Sequence, residues 1–120
     1  MESEIKRNVF NEISLLLDYS ERIYREYLKS DSQFIYANIL RNVNSKLYEC
    51  LLKNSCYLTS ETRRNAIELM LHLDVWKQIW DCEFEVQRPS LRDKFTFDND
   101  VNFPREKVDR LPLELASLGE

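Results

Sequence analysis

Glycine and proline are almost missing from most of this chain. Its 120 residues include one Gly and three Pro, and all of them (Pro89, Pro104, Pro112, Gly119) lie after residue 86. A turn-rich β fold needs such residues throughout, so their scarcity favours long helices. It also divides the chain into a helical body, residues 1–86, and a differently built tail, residues 87–120. Without a glycine-rich turn there is no loop to cradle a phosphate. No apolar run is long enough to span a bilayer, and the charged start MESEIKR is not that of a signal peptide. The sole histidine, His72, leaves few ways to pair a nucleophile with a base. Cys50, Cys56 and Cys82 are an odd number with no paired spacing. That points to free thiols, a reducing cytoplasmic setting and no metal site.

What is present suits one folded domain. Hydrophobic residues make up 43% and charged residues 32% of the chain. The net charge is −4, with 11 basic against 14 acidic residues in the body and 6 against 7 in the tail. Neither part is a basic arm, so bulk charge does not suggest nucleic acid as a partner.

Apolar residues in the body recur at threes and fours. One helix is expected from about Ser3 to Lys29, with Ile5, Val9, Ile13, Leu16, Leu17, Ile23, Tyr24, Tyr27 and Leu28 on its stripe. A second is expected from about Ser32 to Ser55 on Tyr36, Leu40, Val43, Leu47, Cys50 and Leu51, with Ser30, Asp31 or Ser32 as its cap. A third is expected from about Glu61 to Phe84 on Ala66, Leu69, Met70, Leu73, Trp76, Trp80 and Phe84, capped by Thr59 or Ser60. Both indoles should be buried, and His72 should sit at the edge of the stripe. Short connections make the three neighbours antiparallel. The fold class is therefore all-α: an antiparallel bundle of three long helices with an extended, Pro-punctuated tail holding one or two short helical turns. Such broad stripes call for a fourth partner or another subunit. In the tail, Phe95, Phe97, Phe103, Leu111 and Leu113 are spaced to dock on the bundle or on a partner.

The candidate chemistry is thin. Arg64 and His72 invite comparison with the Arg-x(4–6)-His pattern of helical ribonuclease-like domains. Seven residues separate them here, and the pattern is not met. Asp98 and Asp100 fall in a turn signal, where a solvated turn is the plainer reading. No catalytic residue or cofactor is expected. Arg22, Arg25 and Lys29 share one face of the first helix, flanked by Tyr19 and Tyr27, and Arg63 and Arg64 open the third. Such clusters can track phosphates. However, Asp18, Glu21 and Glu26 stand at pairing distance along the first helix, which favours a mixed solvated face.

The order "DYSERIYREYLKSD", "ILRNVNSKLYECLLKNS", "RRNAIELMLHLDVWKQIW" resembles the accessory variability determinant (Avd) family of diversity-generating retroelements, and the wider group of small bacterial four-helix-bundle proteins. The resemblance covers about residues 13–84. Ile23 and Tyr24, then Leu40, Leu47, Leu51, Leu52 and Asn54, then Ala66, Leu69, Leu73 and Trp76 carry it. It implies a non-enzymatic, ring-like homopentamer that binds a reverse transcriptase and its template RNA. Arg22, Arg25, Lys29, Arg41, Lys53, Arg63 and Arg64 would then be the contacts. The expectation is a binding or assembly module, an accessory subunit that self-associates and docks a larger machine. The rival expectation is a small acidic inhibitor, such as an immunity protein or antitoxin, that covers a basic enzyme surface.

Overall fold

The computed structural model describes residues 2–97, and side chains from Glu4 onward. Three helices account for most of them: α1, Glu2–Lys29; α2, Phe34–Lys53; and α3, Ser60–Gln87. A short 3-10 turn, Ser55–Tyr57, precedes α3. Among the described residues there is no strand, only one antiparallel bridge between Gln33 and Lys94. The bundle is a rod of 47 × 22 × 22 Å, with α2 packed against both α1 and α3. The long dimension matches 28-residue helices, which span about 42 Å at 1.5 Å per residue.

The core has two chemically distinct ends. One is aliphatic: Val9 and Ile13 of α1, Leu47, Cys50 and Leu51 of α2, Leu58, and Ala66, Leu69 and Leu73 of α3. The other is aromatic: Phe34, Ala37, Trp80 and Phe95, with Tyr27, Trp76, Phe84 and Phe97 packed around them. Trp80 is buried as expected, whereas Trp76 is half-buried against the cluster. Three expected stripe residues of α1, Ile5, Tyr24 and Leu28, are exposed. The α1 stripe is wider than the face its neighbours cover, so its flanks stay outside. His72 corrects the expectation in the other sense, because it is buried at 8% exposure rather than lying at an edge.

The helix ends have specific causes. Past Lys29, the Ser32 N–H donates to the Tyr27 carbonyl at 2.9 Å and the Asp31 N–H to that of Leu28 at 3.3 Å. That pair of bonds is a Schellman motif with Asp31 at the left-handed position, φ 60°, followed by Ser32 at φ 63°. Asp31 and Ser32 are thus used to stop α1 and do not cap α2, contrary to expectation. The residue before α2 is Gln33, whose side chain makes no capping bond. Instead residues 88–97 fold back as a strap. The Asp93 carbonyl accepts from Phe34 N–H and the Leu91 carbonyl from Ile35 N–H, both at 2.8 Å. A distant part of the chain therefore satisfies two of the donors a helix start leaves orphaned. Helix α3 follows the local rule, with Thr59 Oγ1 accepting from Thr62 N–H at 3.2 Å. It runs three residues past Phe84, the expected end, and stops at Arg88, φ 45°, followed by Pro89.

Candidate interaction surfaces

The basic residues do not form one patch. Arg22, Arg25 and Lys29 lie near the C-terminal end of α1, beside the start of α2. Lys53, Arg63 and Arg64 surround the turn between α2 and α3. The 20 residues of α2 hold the two groups about 30 Å apart. Within the first group, Glu26 takes Arg22 at 3.1 Å and Lys29 at 3.9 Å. Arg41 is engaged inside the fold. Its Nε donates to Asp81 Oδ1 at 2.8 Å and its Nη2 to Oδ2 at 3.3 Å. The guanidinium also lies 5.2 Å over the Trp80 ring. This bidentate, stacked arrangement ties α2 to α3 and leaves little of Arg41 for an outside phosphate. Arg63 donates to the Ser55 carbonyl at 3.3 Å. Arg64 is exposed and forms no ion pair among the described residues.

The tail candidates divide. Phe95 is fully buried in its own bundle. It meets Trp80 edge-on at 5.1 Å and Phe34 at 5.4 Å. Its N–H donates to the Ser32 carbonyl at 2.8 Å, and its carbonyl accepts from the Tyr27 hydroxyl. Phe95 is therefore not available to a partner. Phe97 packs edge-on against Phe95 at 5.6 Å and is half-buried. Phe103, Leu111 and Leu113 lie outside the described residues.

Burial lowers the pKa of the His72 imidazole from its usual value. Cys50 is buried and its thiol is pushed up to about 11, first by desolvation and then by Glu12, so it is a poor thiolate nucleophile. Cys56 and Cys82 are exposed, and all three thiols are free. Among the described residues no three His, Cys, Asp or Glu side chains gather as metal ligands do. A groove of about 200 Å³ runs between α2 and α3, lined by residues that include Arg41, Asn44, Tyr48, Asp74 and Lys77. Its most perturbed group is the Tyr48 phenol, raised by the facing Asp74 carboxylate. Arg41, one of its two cationic lining groups, is already paired with Asp81.

The surface that stands out lies on the outside of α3. Leu71 is 58% exposed and Val86 80% exposed. Between them Val75 and Ile79 are half-buried and Cys82 is exposed. The line has a readable sequence signal, since residues 71, 75, 79, 82 and 86 are spaced by fours and a three. It is a second apolar stripe, turned away from the one that fills the core. The expectation above concerned only the inner stripe and missed it. No described helix is long and apolar enough to cross a membrane.

Compared with protein-family models, curated proteins and solved structures, the chain finds no match.

Proposed function

We propose that the chain is a non-enzymatic assembly module, an accessory subunit that self-associates and docks on a larger machine. The observation that carries this reading is the two-faced α3. One stripe supplies Leu69, Leu73 and Trp80 to the core, while the other leaves Leu71, Cys82 and Val86 at the surface. Apolar side chains lined up along an outer helix face, part exposed and part half-buried, are the kind of surface that marks interaction sites. The resemblance to accessory helical-bundle proteins supports the same role. The division of the basic residues between two ends favours protein over nucleic acid as the partner.

Light scattering behind size exclusion, with absorbance at 260 and 280 nm, tests it. A defined oligomer free of nucleic acid is expected. A pentamer carrying RNA would support the ring-forming, template-binding version of the role. A monomer at every concentration would refute self-association. If such a monomer bound one basic protein in a salt-sensitive way, the acidic-inhibitor reading would replace this one.

A further inference from the structure

We infer that the outer stripe of α3 pairs with the same stripe of a second copy, antiparallel, about a two-fold axis near Val75. This inference rests on the assembly reading above and specifies its interface. Three observations support it. First, Val75, Ile79, Cys82 and Val86 follow a 4-3-4 spacing, the seam of a helix that packs lengthwise on another helix. An irregular patch would suit an arbitrary partner, whereas a seam suits a helix. Second, the seam is reachable from outside: Val86 is 80% exposed and Cys82 exposed, Val75 and Ile79 are half-buried, and Leu71, one turn before Val75, is 58% exposed.

Third, charge selects the occupant and its direction. Arg64 stands near one end of the stripe and Glu85 near the other. They are 11 and 10 residues from Val75, or about 16 Å each along the helix. A parallel copy would set Arg64 against Arg64 and Glu85 against Glu85. An antiparallel copy sets Arg64 of each chain opposite Glu85 of the other, twice by symmetry. Arg64 makes no ion pair among the described residues. Among the described residues Glu85 is held only by Arg88, an exposed partner three residues along the same helix. Pairs of that kind are weak and readily exchanged. The arrangement is self-complementary, as a two-fold interface requires.

Sedimentation and light scattering of the full chain test the inference, together with two sets of variants. Arg64→Glu or Glu85→Arg alone should weaken the dimer by about tenfold or more, because each places two like-charge contacts in the interface. The double exchange Arg64→Glu/Glu85→Arg should restore it. For direction, a Cys56→Ser/Cys82→Ser chain carrying Val75→Cys should form a disulfide dimer on mild oxidation. Cys82 in a Cys56→Ser chain should not. Two antiparallel copies hold their Cys82 positions about 21 Å apart along the helix, and a disulfide needs Cα atoms within about 7 Å. A parent chain that stays monomeric overturns both this pairing and the assembly reading. An oligomer with no rescue by the double exchange, or one that cross-links through Cys82 instead of Val75→Cys, overturns the pairing alone. Leu71→Asp should disrupt the dimer and leave the fold intact. If it instead lowers unfolding stability without changing the mass, the face is covered from within its own chain and the pairing is wrong.

Discussion

Phe95→Ala removes the residue that fastens the strap. The ring is fully buried and touches Trp80, Phe34 and Phe97, each edge-on with centroids 5.1–5.6 Å apart. Truncating a buried phenylalanine costs about 3–5 kcal/mol, from lost transfer energy and the cavity left behind. The strap's backbone also holds the Phe34 and Ile35 N–H groups and takes the Tyr27 hydroxyl. If the strap releases, water can replace these bonds, and the loss is then limited to the free energy of docking it. The expected result is therefore about 3 kcal/mol, the lower end of the range. Urea denaturation followed by far-UV circular dichroism measures it. Tryptophan emission supplies an independent signal, because Trp80 lies under Phe95 and should shift to the red when uncovered. Phe97→Ala, at a half-buried ring, should cost clearly less. A loss below about 1 kcal/mol with unchanged emission would refute the reasoning. It would mean that residues 88–97 are not part of the cooperative unit.

Three further outcomes follow from the same geometry. Tyr27→Phe removes the hydroxyl that donates to the Phe95 carbonyl and should cost about 0.5–1.5 kcal/mol in urea denaturation. Thr59→Ala removes the side-chain cap of α3 and should cost about 1 kcal/mol, whereas Ser60→Ala should be close to neutral. His72 makes stability depend on pH. Burial depresses its pKa below the usual 6.5, so the unfolded chain binds the proton more readily than the folded one. Its contribution is full above pH 6.5 and is lost as pH falls through the lower folded value. The urea midpoint should decline on acidification below pH 6.5, and His72→Gln should flatten that part of the profile.

The positions of the three helices were legible because helix periodicity is local. Ile13, Leu47, Leu69 and Trp80 announce their burial by spacing, and Thr59 announces the start of α3 by its own side chain. The expected end of α1 at Lys29 matches the structure, since Asp31 and Ser32 act within one turn of it. The same two residues misled as caps for α2, because a short polar residue between helices can serve either neighbour. Which of the two it serves depends on what else reaches the helix start. Here that is the backbone of Leu91 and Asp93, nearly 60 residues away in sequence. The exposed flank of α1 and the buried His72 were misread for a related reason. Periodicity says that a face is apolar, not how much of it a neighbour covers. For the basic residues, the sequence names the cations, while the antiparallel course of α2 separates them.

By itself, then, the sequence determined an all-α body of three long helices, their approximate ends and most of the inner core. These follow from the 3.6-residue period and from side chains acting on nearby backbone. The tertiary structure alone decided that Phe95 and its strap close the aromatic end, that Arg41 is committed to Asp81, and that no other described element covers the second stripe of α3. Each of these depends on contacts between residues far apart in the chain, and local pattern cannot encode which distant partner arrives.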